Sequence, residues 1–290
     1  MNFVCPICLG AMAECGGAAR CERAHSFDKS RFGYYNLLVG RGGAHGDNKD
    51  MVAARRAFLA SGEYEPLARR IADLAAERTK GTERTKGTER TEGTERTEGT
   101  ERSSGGVVLD AGCGEGYYTA FVKKALGGAA RVLAFDISKD AVREAARIAA
   151  ADEYAVASSY KIPLSDGGAD TVINIFSPLA LDEMRRVIRP GGSFIMAIPG
   201  EEHLFGLKAA VYDTPYKNVP EDTNIPGFKL ASREELRYSL NLDSAEKIRA
   251  LFMMTPYAYR TGERGRARVH ALSSLECEAH FYVLVYEREV

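Results

Sequence analysis

Leu109-Asp110-Ala111-Gly112-Cys113-Gly114-Glu115-Gly116-Tyr117-Tyr118 joins a short apolar run, Val107-Val108-Leu109, to a helical stretch at 117–126. Strand, glycine-rich turn and helix in that order bring a backbone close to a small polar ligand, because glycine removes the side chains that would collide. The start of the helix then faces an anionic group. Gly112, Gly114 and Gly116 occupy every second position behind Asp110, which is not the Gly-x-Gly-x-x-Gly spacing of dinucleotide sites. A second acid, Asp136, closes the next apolar run, Val132-Leu133-Ala134-Phe135, where a carboxylate can accept hydrogen bonds from ribose hydroxyls. The turn alone is a weak signal; with an acid on each side it reads as a nucleoside-type cofactor site.

Outward from the turn a βα rhythm continues. Thr171-Val172-Ile173-Asn174-Ile175 and Ser193-Phe194-Ile195-Met196-Ala197-Ile198 are further buried-strand signals, with helical stretches at 139–150 and 180–189. Strands apolar on both sides belong to a parallel sheet covered by helices, so an α/β fold is expected over 105–290. Residues 200–247 lose the rhythm and read as an insertion or lid. The tail offers a helix at 244–254 and a last strand at 280–287, expected as an antiparallel edge. Upstream, 38–78 reads as a helical connector. Ala57, Phe58 and Leu59 precede a break at Gly62, after which Leu67, Ile71, Leu74 and Ala75 recur at helical spacing and Pro66 suits the first turn.

Residues 1–37 hold few long apolar runs, so a metal is the natural organiser of their fold. Cys5-x2-Cys8-x12-Cys21-x3-His25 supplies three thiolates and an imidazole at knuckle-like spacing, which suits one structural Zn2+ per chain with no open coordination position. Cys15 lies between the pairs and is an alternative ligand. Cys113 and Cys277 have no partner at metal spacing and read as packing residues.

Residues 79–102 are four near-perfect copies of Thr-Lys/Glu-Gly-Thr-Glu-Arg, in which six basic and six acidic side chains cancel and no hydrophobic residue occurs. Such a segment cannot offset its ordering entropy by burial, so 79–104 is expected to be a disordered tether.

Composition excludes other classes. No run of eighteen apolar residues occurs and the N-terminus does not read as a signal peptide, so no membrane partner and a cytoplasmic location are expected. A net charge of -1 mildly disfavours a nucleic-acid partner. Two local patches soften this: Arg31, Arg41, Lys49, Arg55 and Arg56 against Asp47 and Asp50, and Arg260, Arg264, Arg266 and Arg268 against Glu263.

The acid-flanked alternate glycines, the Asp170–Ile175 strand and the Arg189-Pro190-Gly191-Gly192 turn resemble the class I S-adenosylmethionine-dependent methyltransferases, implying a Rossmann-like, mostly parallel seven-stranded sheet. With Phe3-x-Cys5-Pro6-x-Cys8, Cys21-x3-His25-Ser26-Phe27-Asp28, Gly33-Tyr34-Tyr35-Asn36-Leu37-Leu38, Ala54-Arg55-Arg56-Ala57-Phe58-Leu59, Gly62-x-Tyr64-x-Pro66-Leu67, Val156-Ala157-Ser158-Ser159 and Met254-Thr255-Pro256-Tyr257 added, the whole chain resembles bacterial 23S rRNA guanine-N1 methyltransferases. The hexapeptide repeat is foreign to that pattern, and Tyr160 stands where a His follows Ala-Ser-Ser in some relatives.

The resemblance implies a homodimer whose zinc modules help grip a 23S rRNA hairpin, and in some members protection against macrolides. It implies S-adenosylmethionine held by Asp110, Gly112, Gly114, Gly116, Tyr117, Asp136 and Ser158, while Tyr64 reads either as a wall of the cofactor pocket or as helix packing. Asn174, Phe176 and Ser177, at the end of a central strand, are the candidates to meet the guanine, with Phe176 stacking on it and the other two touching its edge. Arg55 and Arg56 are candidates to orient RNA phosphate or cofactor. No carboxylate stands out as a base, and Asp182 reads as a helix N-terminal residue. The alternatives are a small-molecule methyltransferase and a non-catalytic zinc-ribbon RNA-binding protein.

Overall fold

The computed structural model describes residues 1–39, 46–80, 105–219 and 222–290. Three antiparallel strands, β1 (Met12–Cys15), β2 (Ala18–Cys21) and β3 (Ser26–Asp28), form a ribbon, and β4 (Tyr34–Asn36) leaves it to join a second sheet. Helix α1 (Lys49–Ala60) starts at Asn48, whose side chain accepts from the amides of Asp50 and Met51 at 3.0 Å each and so satisfies two free donors of the first turn. Helix α2 (Glu65–Lys80) buries Leu67, Ile71, Leu74 and Ala75 along one face, as their spacing requires.

Then come β5 (Gly106–Ala111), α3 (Tyr117–Leu126), β6 (Ala130–Asp136), α4 (Lys139–Arg147), β7 (Glu153–Val156), β8 (Ala169–Ile175), α5 (Leu181–Val187) and β9 (Ile188–Pro199). The chain ends with α6 (Phe205–Val211), β10 (Phe228–Leu242), α7 (Ala245–Met253), α8 (Tyr257–Arg260), α9 (Glu263–His270) and β11 (Leu275–Arg288). The eight-stranded sheet has the order β10-β11-β9-β8-β5-β6-β7-β4, parallel from β9 to β4 and antiparallel at β11 and β10. β5 pairs with β6 on one side and β8 on the other, so the chain reverses direction across the sheet there. A crevice at the carboxyl ends of the strands follows at that switch point.

Alternate strand residues enter opposite cores. Val108, Val132, Ile173 and Ile195 pack with Phe58, Ile71, Val122 and Leu251 on one face. Leu109, Leu133, Val172 and Phe194 pack on the other with Met184 of α5 and with Phe3, Cys5, Tyr35 and Leu37 of the N-terminal module. The metal-type module is therefore built into the main core.

The sequence reading is corrected at several points. The sheet has eight strands because β4 of residues 1–37 extends the expected seven. Residues 200–247 are not simply an insertion: β10 spans 15 of them and lies in the sheet. The last strand is antiparallel as expected, but β10 covers it, so β11 is not the edge. The edge β10 carries Lys229, Arg233, Glu235 and Arg237 on its exposed positions, charges that discourage pairing with another chain. Thr79 and Lys80 of the repeat belong to α2, and the expected tether over 81–104 lies outside the described residues.

Candidate active site and metal centre

The turn after β5 is fastened to β6. The amides of Gly112 and Cys113 both donate to the Phe135 carbonyl at 2.9 Å, and the Gly114 amide donates to Asp136 Oδ2 at 3.0 Å. The Ser138 amide takes the other Asp136 oxygen at 2.7 Å. Gly112 (φ +91°) and Gly116 (φ +88°) adopt backbone that L side chains rarely enter. A Cβ on Gly112 would overlap the Ser177 side chain, and one on Gly116 would meet the Ala145 and Ala150 methyls at 2.9 Å. Gly114 is different: the nearest atom to its absent Cβ is Arg55 Nη1 at 3.9 Å, so the loop presents an open surface there.

Acids crowd that surface, with the Arg55 guanidinium beside them. Asp110 is buried and accepts from Thr119 Oγ1 at 2.6 Å, and burial pushes its carboxyl up to about 7. Glu115 is also buried, with Oε2 lacking any partner among the described residues, and burial pushes it up to about 7. Burial raises Asp136 as well. An orphaned carboxylate oxygen beside an open glycine fits a ligand that brings cationic groups, as the sulfonium and amino groups of S-adenosylmethionine do.

This has a measurable consequence. A carboxyl whose folded pKa is raised contributes stability that is fully present below its unfolded value and lost as pH rises through the folded one. For Asp110 and Glu115 that window runs from their ordinary values of 3.8 and 4.5 to about 7. The ligand-free protein should melt progressively lower as pH climbs through it, and S-adenosylmethionine should flatten the trend. Thermal midpoints with and without ligand decide it; a ligand-free midpoint that climbs across the window would count against this reading of the acids.

Arg55 and Arg56 diverge. The Arg55 guanidinium pairs with Asp47, and its other nitrogen lies 3.5 Å from the Met254 carbonyl, beside the cofactor loop. Asp47 also accepts the Ser138 hydroxyl through its backbone carbonyl at 2.6 Å, so residues 46–48 lie over the Asp136 turn. Arg56 turns outward to Glu144 at 2.9 Å and is largely exposed. Tyr117 is half-buried, edge-on to Tyr118 with ring centres 5.2 Å apart. Ser158 follows Ala157, whose amide donates to the Asp136 carbonyl at 3.0 Å, and its own hydroxyl accepts from the Tyr160 amide at 3.2 Å.

At the end of β8, Phe176 takes a left-handed backbone (φ +54°) and leaves its ring half-exposed. A non-glycine residue there is held by its surroundings and is worth a functional reading. Its ring faces His203 at 6.4 Å with an 18° interplanar angle and approaches Phe281 at 5.5 Å and Tyr118 at 6.5 Å. Ser177 packs on Gly112, joining this aromatic wall to the cofactor turn. Asn174 is buried, and its amide donates to the Pro178 carbonyl at 3.4 Å, across the same turn. Tyr64 is buried edge-on to Phe58 and Phe281, each at 5.1 Å, with its hydroxyl 3.3 Å from His203 Nε2. Burial holds His203 down to about 3, so it is neutral. Its Nδ1 accepts from the His280 amide at 3.3 Å, which places the proton on Nε2. Nε2 then donates to the Tyr64 oxygen, and the Tyr64 hydroxyl keeps its own proton to donate.

Glu115, Asp47, His203 and Phe281 are site residues that the sequence reading did not single out. Glu115 sits inside the decisive turn. His203 and Asp47 lie in stretches with no periodicity, and nothing local marked them.

In the N-terminal module, the ligand atoms of Cys5, Cys8, Cys21 and His25 all lie within 4.8 Å of one another. Cys8 and Cys21 sulfurs are 3.7 Å apart, and His25 Nδ1 is 3.4 Å from the sulfurs of Cys5 and Cys21. A tetrahedral zinc about 2.3 Å from each sulfur sets neighbouring sulfurs roughly 3.8 Å apart, so the set fits the ion. Each knuckle turns on a left-handed residue, Leu9 (φ +57°) or Ala24 (φ +61°). Cys15 is exposed on the β1–β2 hairpin and outside the cluster; Cys113 is buried and Cys277 half-buried.

Of the two basic patches, the first is partly consumed, Arg41 lying outside the described residues. In the second, Arg266 donates to the carbonyls of Thr261 and Ala258, and Arg268 to those of Ala210 and Val211. Arg260 and Arg264 remain exposed. Asp182 is exposed in the first turn of α5, as expected for a helix-start residue. No helix among the described residues is long and apolar enough to cross a membrane.

Comparison with known proteins agrees with this geometry. Residues 108–192 match the family described as "Methyltransferase domain", and residues 3–39 match the zinc-ribbon family described as "RlmA, N-terminal". A Streptomyces fradiae protein named 23S rRNA (guanine(748)-N(1))-methyltransferase is 35% identical over 245 residues, covering 82% of this chain and 79% of its own. A Micromonospora griseorubida protein named for guanine-N1 methylation of 23S rRNA is 35% identical over 279 residues, 93% of this chain and 91% of its own. One from Bacillus subtilis (strain 168), named for the same reaction, is 29% identical over 266 residues, 89% and 86% of the two chains.

Proposed function

The chain belongs to the 23S rRNA (guanine-N1)-methyltransferases, S-adenosylmethionine-dependent enzymes with an N-terminal zinc ribbon, and on that premise we propose that it methylates N1 of a guanine in a 23S rRNA hairpin. The observation that carries the reading is the Gly112–Ser177 contact. It sets an aromatic wall with a half-exposed, left-handed Phe176 directly against a cofactor turn flanked by two buried acids.

S-adenosylmethionine supplies a methyl group already activated on a sulfonium. Asp136 holds the ribose, Glu115 and Asp110 face the cationic end, and Gly114 gives the backbone approach. Tyr117 and Ser158 complete the cofactor side, and Arg55 orients it from above Gly114. Phe176 stacks on the guanine once it leaves its helix. Asn174 and Ser177 fix the turn that carries Phe176 and lie at the edge of the base. Guanine N1 bears a proton and is a weak nucleophile until that proton leaves, here to solvent water. The Tyr64–His203 pair offers a donor that stabilises the O6-enolate form, and positioning supplies much of the rest. Zinc stays with Cys5, Cys8, Cys21 and His25 and shapes an RNA-facing surface, to which Arg56 adds a phosphate contact. A homodimer acting in the cytoplasm completes the proposal.

Mass mapping of 23S rRNA from cells with and without the gene should show one added methyl on one guanine; identical spectra would overturn the proposal. In purified protein, Phe176→Ala should lower kcat/KM for RNA by about tenfold or more, the scale of one lost base stack, while S-adenosylmethionine affinity holds. A parallel fall in cofactor affinity would instead make Phe176 part of the cofactor pocket.

A further inference from the structure

Between α7, α8 and α9 the surface opens into a cavity of about 310 Å³ lined by Phe252, Met253, Ala258, Tyr259, Arg266 and His270. Phe252 and Ala258 make a buried apolar floor, and the half-exposed Tyr259 ring stands at the rim. The Tyr259 hydroxyl makes no hydrogen bond among the described residues, so its flat face is what it offers. Arg266 is pinned by donating to the Ala258 and Thr261 carbonyls at 2.9 and 3.0 Å, which fixes that side of the wall. Among the described residues, Arg266 has Nη1 free, His270 is an exposed wall residue, and Arg260, next to Tyr259, is exposed without an ion pair; Glu263 is the one acid between Pro256 and His270. One residue along the chain from this lining is a contact of the cofactor loop's neighbour. Met254, the residue after α7, lies with its carbonyl 3.5 Å from Arg55, the side chain that stands beside Gly114.

An apolar floor, one unoccupied aromatic face and a basic rim together suit a single flat heterocycle joined to phosphates. The volume is at the small end of ligand pockets, too small for a helix of a protein partner. We propose that this cavity receives an unpaired nucleobase of the substrate RNA, distinct from the methylated guanine, stacked on Tyr259 while Arg260 and the free Nη1 of Arg266 hold the flanking phosphates. The inference rests on the rRNA methyltransferase reading. It makes α7–α9 a second reading point that sets which guanine reaches Phe176.

The test uses the full-length, zinc-containing protein and a 23S rRNA transcript. Tyr259→Ala should raise the KM for RNA about tenfold, while the S-adenosylmethionine KM and the thermal midpoint stay put. Tyr259→Phe should behave as wild type, because the ring is kept. Arg260→Ala should reduce the salt slope of RNA binding by about one, as loss of one phosphate contact does. An unchanged RNA KM in Tyr259→Ala would overturn the proposal, as would equal damage from Tyr259→Phe. So would a shift of Tyr259→Ala from dimer to monomer in sedimentation, which would make the cavity an interface between copies of the chain. Wild-type protein that neither binds nor methylates the transcript would sink the function reading itself, whereas methylation indifferent to Tyr259 would sink only the cavity's role.

Discussion

Cys21→Ala protein is expected to carry almost no zinc, against one per chain in wild type, and to melt roughly 10 °C or more below it. The size of the effect comes from where the metal sits. Binding of a structural zinc is worth on the order of 10 kcal/mol to a small module, which here lacks a core of its own. Cys5 and Cys21 also belong to the apolar cluster that holds Phe3, Tyr35 and Leu37 against Leu133, Phe135 and Ala155. Losing the ion therefore frees a segment that covers one face of the methyltransferase sheet. Metal analysis, calorimetry and S-adenosylmethionine binding on the same preparation separate the possibilities. A zinc-free variant that keeps the wild-type midpoint would show that the module folds without metal.

Gly112→Ala should abolish detectable methyl transfer, a fall of at least about 100-fold, from two added costs. The φ of +91° imposes strain of about 1–3 kcal/mol on any L side chain, and the new methyl overlaps Ser177. Overlap can be relieved separately from strain. Gly112→Ala combined with Ser177→Gly should recover part of the lost stability and activity. Gly114→Ala is the contrast: among the described residues, and apart from its two chain neighbours, no atom lies closer than 3.9 Å to its new methyl, so only the backbone strain should touch the midpoint, and cofactor affinity should fall much further than stability does. If Gly112→Ala and its double variant are equally damaged, the Ser177 contact is not what sets the fit between turn and aromatic wall.

Much of this was legible because it is local. Gly112, Gly114, Gly116 and Asp110 lie within one turn, and Cys5, Cys8, Cys21 and His25 within two knuckles, so spacing alone carried their geometry. The parallel strands announced themselves as runs apolar on both sides. β10 was harder, although Phe228, Leu230, Leu236, Tyr238, Leu240 and Leu242 do alternate: Ser232 and Glu234 interrupt the stripe where Arg70 reaches across to Glu234 at 2.6 Å. His203 could not be read, since its role comes from Tyr64, Phe176 and the His280 backbone, three distant parts of the chain. Arg55 and Arg56 are neighbours in sequence, but a 100° step around α1 sends one to the cofactor loop and the other to Glu144. Site residues made by tertiary meeting leave no periodic trace.

The pairing of β4 with β7 bears on how the chain reaches this state. Tyr34 meets Tyr154 across roughly 120 residues of sequence, so β4 has no strand to dock on until β5, β6 and β7 have been made. A ribbon that closes on its own zinc can wait folded through that interval, keeping Phe3, Tyr35 and Leu37 on one prearranged surface. The 24-residue repeat lengthens the wait and adds only about 0.2 kcal/mol to the closure of that long loop. Metal capture would then precede the docking of β4, and the ribbon would reach β7 already shaped.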